Sequence, residues 1–177
     1  MSDGFKNQTV ILYSATSIDG YIARTDGSID WLETVERQDE DYGYSEFLNS
    51  VDILLMGRKT FDQVLKFGEW PYAGKQTIVF SRQSQNKDRS EVKFFSGTPE
   101  TLSQQIDKHS TVWLVGGGEL NNAFLAADAI DEIILSIIPV CLGDGIPLFQ
   151  TTSFTPKFKM IKCRSFDTGV EQKHNKR

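Results

Sequence analysis

The chain has 177 residues, room for one domain with a single sizeable core, and its 39% hydrophobic and 24% charged content is that of a globular protein, not a disordered or fibrous one. A net charge of −5 argues against a nucleic-acid binder relying on a broad positive field, and no apolar run approaches the roughly 20 residues that cross a bilayer. Cys141 and Cys163 form neither a CxxC pair nor part of a metal-ligating cluster, so no metal and no disulfide framework are expected, and a reducing cytoplasm fits.

Residues 1–8 are polar and read as an N-terminal tail, followed by one domain over 9–173 and a short tail over 174–177. The run 10–17 predicts a first, central strand that exits through Ile18-Asp19-Gly20-Tyr21-Ile22. Trp31 and Leu32 are apolar anchors in a polar stretch, and the acidic run 33–41 reads as a solvated loop or helix face. Tyr44, Phe47 and Leu48 have the i, i+3, i+4 spacing of a short helix docked on a sheet. The almost continuously apolar run 51–56 predicts a strand covered on both faces, ending at Gly57-Arg58-Lys59-Thr60 before a helix over 60–66.

Residues 76–80 predict another strand, ending at Ser81-Arg82, with a surface loop over 83–89 and a short strand over 92–95. Thr98-Pro99-Glu100 opens a helix expected to reach Lys108. Thr-Val-Trp-Leu-Val-Gly-Gly-Gly-Glu-Leu, residues 111–120, is a buried strand, a glycine turn and a helix start. Strands are further expected over 131–140, 157–166 and 169–173, the last two antiparallel near a sheet edge. The alternation predicts a single three-layer α/β domain with a mixed, mostly parallel central sheet of about eight strands, helices on both faces and an antiparallel C-terminal part.

Ligands of such sheets bind outside the carboxyl ends of the strands. Three strand ends carry phosphate-compatible groups: 57–60, Ser81-Arg82 and 116–119. Gly116, Gly117 and Gly118 let a ligand lie against main chain, and unpaired N–H groups at the following helix start favour a phosphate. The alternative for the turn is a plain sharp connection between packed elements. A Rossmann dinucleotide site would need G-x-G-x-x-G early in the chain with an acid after the next strand, and a P-loop needs Gly-Lys-Ser or Gly-Lys-Thr; neither is present.

Taken in order, Ser17-Ile18-Asp19-Gly20-Tyr21-Ile22-Ala23, Met56-Gly57-Arg58-Lys59-Thr60, Ser81-Arg82, Val115-Gly116-Gly117-Gly118-Glu119-Leu120 and Gly143-Asp144-Gly145-Ile146-Pro147 resemble the dihydrofolate reductase fold. The chain is most similar to its branch typified by the reductase domain of the riboflavin-biosynthesis deaminase-reductase, without a zinc-ligating His/Cys cluster like that of the deaminase half. The resemblance covers residues 9–172.

It implies NADPH as cofactor and reduction of a small heterocyclic or phosphoribosylamino-pyrimidine substrate, as in 5-amino-6-(5-phosphoribosylamino)uracil reductase. Dihydrofolate reduction, or NADPH binding without turnover, are its alternatives. By the family's pattern Gly57, Arg58, Lys59 and Thr60 contact the 2′-phosphate and pyrophosphate, Ser81 and Arg82 flank the 2′-phosphate, Val115, Gly116, Gly117, Gly118, Glu119 and Leu120 hold the pyrophosphate, and Ala15 and Ile22 grip the nicotinamide. A surface arginine neutralised by a nearby carboxylate is the other reading of Arg58. Asp19, Trp31, Tyr44, Phe47 and Ser136 are implied on the substrate side, with Asp19 equally readable as a turn aspartate and Ser136 as an ordinary sheet serine. The acid assisting protonation is implied at Asp41 by counting back from Gly57 and at Glu36 by counting forward from Trp31. A homodimer is implied too, with no nucleic-acid or membrane partner.

Overall fold

The computed structural model describes residues 5, 7–83, 89–150 and 155–177. Strand β1 (Thr9–Ser17) turns at Gly20 into the short β2 (Tyr21–Ala23), and a 3-10 turn over Asp30–Val35 buries Trp31 and Val35. Then come α1 (Tyr44–Ser50), β3 (Ile53–Gly57), α2 (Arg58–Val64), β4 (Gln76–Phe80), β5 (Val92–Phe95), α3 (Pro99–Ser103), β6 (Thr111–Gly116) and α4 (Gly118–Ala126). The chain ends with β7 (Glu132–Ile138), β8 (Ile146–Pro147), β9 (Lys159–Ser165) and β10 (Glu171–Lys176).

The eight-stranded sheet runs β5-β4-β3-β6-β1-β7-β10-β9, and β2 pairs with β8 in a separate ribbon. From β5 across to β7 every pairing is parallel, and β10 is antiparallel to both β7 and β9. From β1 the chain first steps outward through β3 and β4 to β5, then returns through β6 to β7. Right-handed crossovers must therefore place the outgoing and returning helices on opposite faces. They do: Phe47 of α1 and Phe61 and Val64 of α2 join Ile11, Leu54, Met56 and Trp113 in one core cluster, whereas Leu102 of α3 and Phe124 of α4 join Val10, Leu12, Leu55 and Leu114 in the other. Alternation along β1 and β3 feeds both clusters, which is why these strands read as continuous apolar runs. Each fully buried Leu or Phe stabilises the fold by about 1.5–3 kcal/mol relative to exposure.

Several expected boundaries are corrected. The helix expected from Pro99 to Lys108 stops at Ser103, where the buried Ser103 hydroxyl donates to Glu100 O and the following carbonyls turn inward to accept from Gln8 Nε2. Residues 1–8 are not wholly a tail, since Phe5 is buried against Phe124 and Gln8 is tied to 103–107. Nor do residues from His174 onward fray, because β10 extends through Lys176. Periodicity missed this because a polar run, Glu-Gln-Lys-His-Asn-Lys, forms a strand when its backbone pairs on both sides and its side chains find charged partners. The loop expected over 83–89 falls mostly outside the described residues.

Those partners meet at Glu132, where β7 begins: its carboxylate accepts from His174 Nε2 at 2.7 Å and Lys176 Nζ at 2.8 Å. Burial alone would raise the Glu132 pKa, but the bonds from Lys176 and His174 outweigh it and hold the carboxyl below its ordinary value. Replacing Glu132 by Ala is expected to cost about 1–3 kcal/mol, the scale of lost charge-assisted bonds, read as a lower urea midpoint at unchanged m.

Candidate functional site

Because the chain leaves β1 in one direction and returns past it in the other, the carboxyl ends of β1, β3 and β6 flank a topological switch point. Gly57 closes β3 and Gly116 closes β6, with a cis peptide between Gly116 and Gly117. The two turns touch: a Cβ on Gly57 would lie 3.7 Å from Gly116 O, and one on Gly117 would lie 3.4 Å from Thr60 Oγ1 and 3.7 Å from Ile22 Cδ1. Gly118 has still less room, since a Cβ there would come within 2.6 Å of Pro147 O. Thus three separate segments, strand β2, the start of α2 and strand β8, close around one glycine turn. Asn121, fully buried in the first turn of α4, binds the assembly from below by donating to Leu148 O at 3.2 Å.

Neither α2 nor α4 has a side-chain cap, so no N-cap side chain occupies the backbone N–H groups of the first turn. The cations beside them are paired. Arg58 Nε donates to Asp62 Oδ2 at 2.7 Å and its guanidinium lies 5.7 Å from the centre of the Phe94 ring, so the carboxylate-neutralised arginine is what the structure contains. Lys59 faces Glu119 across 3.7 Å, both largely exposed. Val115 and Leu120 turn their side chains into opposite core clusters, leaving only their backbone for a ligand. Ser81 spends its hydroxyl in a local turn with Gln83, and Arg82 is exposed farther out along the same edge of the sheet.

Asp19 ties the β1–β2 loop to the loop before β8, accepting from Leu142 N at 3.1 Å and Gly143 N at 2.7 Å. It is therefore a loop-fastening aspartate, and the Ser17 hydroxyl, with the Gly143 and Leu142 N–H groups, lowers its carboxyl to about 2.

The face of the sheet beneath α1 carries the other residues singled out. Ala15 is opposite Ser136 in the β1–β7 register, and Ser136 is opposite Gln172 in the β7–β10 register. Trp31 lies buried beside Ala15 with no hydrogen-bond partner for its Nε1 among the described residues. Phe47 stacks on Tyr13 at 4.2 Å and Tyr44 meets Trp113 edge-on at 5.9 Å, so both belong to an aromatic wall, with Phe47 itself buried. Asp41 is exposed just ahead of α1 and accepts from Gly43 N at 2.9 Å and Ser45 N at 3.0 Å. The Ser45 hydroxyl and these amides hold its carboxyl low. Glu36 terminates the 3-10 turn, exposed.

Sequence reasoning missed Tyr13, Tyr42 and Gln172, which complete this face. The Tyr42 carbonyl accepts from Gln172 Nε2 at 3.0 Å and from the Tyr13 hydroxyl at 3.5 Å, while the Tyr42 hydroxyl donates to Val35 O and meets Thr168 Oγ1. Burial pushes Tyr13 up to about 12, so it stays protonated as a donor. The strand expected over 169–173 contains Gln172, but only its register against β7 puts that residue opposite Ser136.

Asp19 gives a pH-dependent expectation. A carboxyl held below its unfolded value of about 3.9 contributes stability above that pH and loses it as pH falls through the folded value, about 2. The gap in urea midpoint between the native chain and Asp19→Asn should be constant at neutral pH and close between those two values; an unchanged gap at the acid end would remove the fastening role.

The model of the RibD C-terminal domain family matches residues 8–171. "Uncharacterized protein YwjB" of Bacillus subtilis (strain 168) is 38% identical over 164 residues, 91% of this chain and 94% of that protein. The crystal structure of a "Putative riboflavin biosynthesis protein" from Shewanella sp. PV-4 superposes with a TM-score of 0.83 at 31% identity, covering 96% of this chain and 98% of that one. The diaminohydroxyphosphoribosylaminopyrimidine deaminase/5-amino-6-(5-phosphoribosylamino)uracil reductase of Thermotoga maritima shares the fold at a TM-score of 0.73 and 18% identity, this chain covering 57% of its length. With nearly all of its described strands and helices inside the matched span, the chain belongs to the RibD C-terminal domain family.

Proposed function

We propose that this protein is an NADPH-dependent reductase acting on a small heterocyclic or phosphoribosylamino-pyrimidine substrate, of which 5-amino-6-(5-phosphoribosylamino)uracil is the type. The observation that carries the reading is the convergence on Gly117 of Thr60, Ile22 and two uncapped helix starts at the switch point. These residues fit a dinucleotide phosphate. The N–H groups at the start of α4 would hold the pyrophosphate, and Arg58, Lys59 and Arg82 supply cations for an additional phosphate, at the cost of the Arg58–Asp62 and Lys59–Glu119 pairs. When bound, the cofactor supplies a hydride.

This chain's task is then to align an acceptor ring over Ala15, between Trp31 and the Tyr13–Phe47–Tyr44 wall, and to exclude water there. Reduction of dihydrofolate fits less well, because Asp41 is exposed, held ionised and committed to α1. In line with this reading we place the protein in the cytoplasm as a homodimer, the exposed Met160 and Ile161 of edge strand β9 being its apolar contact surface. Among the described residues no helix is long and apolar enough to cross a membrane.

The test is a titration of the protein with NADPH and NADH, followed through tryptophan fluorescence. NADPH is expected to bind at least about tenfold more tightly than NADH, and Arg58→Ala to cost NADPH about 1–3 kcal/mol while leaving NADH nearly unchanged. Gly118→Ala, which drives the Pro147 carbonyl off the start of α4, should weaken both nucleotides. Equal affinities for the two nucleotides, or no binding of either, would sink the assignment.

A further inference from the structure

Resting on the reductase reading only for the place where a substrate ring sits, a second question concerns what that ring must carry. Gln172 answers it through the chemistry of its neighbours. A backbone carbonyl can only accept, so the Gln172 atom 3.0 Å from Tyr42 O must be its amide nitrogen. That nitrogen can only donate, and its second proton goes to Ser136 Oγ at 3.1 Å. Ser136 is buried, on the strand position opposite Ala15, and among the described residues no acceptor takes its own hydroxyl proton. With a lone pair occupied by Gln172, the hydroxyl is poised to donate.

We infer that Gln172 is a positioning residue that fixes Ser136 as a hydrogen-bond donor, so that the site selects a neutral ring presenting a carbonyl oxygen there and disfavours a ring presenting an amino group in its place. The surroundings agree. Tyr13 beside Gln172 is a protonated hydroxyl, and the nearby carboxylate of Asp41 is satisfied by the backbone of α1, so neither offers an amino group a free anionic acceptor. In a buried site a mismatched polar pair costs more than a matched one contributes, which makes the polarity of a single hydroxyl a selective device.

The experiment titrates uracil and 2,4-diaminopyrimidine, by ligand-observed NMR, into the free protein and into protein mixed with NADPH, for the native chain, Ser136→Ala and Gln172→Glu. Uracil is expected to bind about tenfold more tightly than the diaminopyrimidine to the native chain, Ser136→Ala to erase the difference, and Gln172→Glu to reverse it, because an acceptor at position 172 turns the serine proton toward itself. A merely structural role for Gln172 would weaken both rings alike. The inference is overturned if the diaminopyrimidine binds more tightly to the native chain, if neither ring binds, or if either variant that stays folded by circular dichroism keeps the native preference. If Gln172→Glu does not fold, Ser136→Ala still decides. NADPH affinity is read in the same samples: its absence alongside an intact ring preference removes the reductase reading and leaves this one standing.

Discussion

Because β1 is hydrogen-bonded in parallel to β6 on one side and β7 on the other, segments far apart in the chain must end at the same edge of the sheet. The registers Leu12↔Leu114 and Ala15↔Ser136 set their relative heights, bringing the glycine turn after β6, the Ser17–Ile22 loop and the polar face of β7 to a common level. A slip of one residue along β1 would turn Ala15 and Tyr13 to the opposite face and move Leu12 out of its cluster. The fully buried Val10, Leu12, Leu54, Leu55 and Leu114 hold that register from both faces, so the site inherits its precision from the core.

Two kinds of surface meet at this edge. On one side the groups are backbone: glycines without side chains, uncapped helix starts and a loop carbonyl pressed against Gly118. On the other they are neutral side chains, Ser136, Gln172, Tyr13 and Trp31, set among aromatic rings. The charged residues near both sides are already engaged, Asp19 with a loop, Asp41 with a helix start, Arg58 with Asp62. A net negative protein can thus offer donors to an anion locally without carrying a positive field over its surface.

Most of the fold was legible in the sequence because it was written in apolar periodicity and glycine. The runs at 51–56 and 111–116 read as strands covered on both faces, and the three glycines as a turn before a helix. Features built from polar residues were less legible: the extension of β10 past Lys173, which depends on Glu132, His174 and Lys176 finding one another, and the early end of α3, which depends on Gln8 reaching carbonyls almost a hundred positions away. The site divided along the same line. Its phosphate-compatible segments announced themselves locally, whereas Gln172 acquires meaning only through its pairing opposite Ser136, and the acid at Asp41 looked available until its partners at Gly43 and Ser45 were seen.

The order of the last two strands reaches beyond architecture to the timing of folding. Among the described residues β9 hydrogen-bonds in the eight-stranded sheet only with β10, yet β10 follows it in the chain and lies between it and β7. While the chain is being synthesised, β9 emerges with no strand to join and must wait as an unpaired, half-apolar segment carrying Met160 and Ile161. When β10 arrives, it attaches to β7 and receives β9 on its other edge, so a nascent chain lacking this segment has the loops at the ends of β1, β3 and β6 but neither a completed sheet nor the Gln172–Ser136 contact.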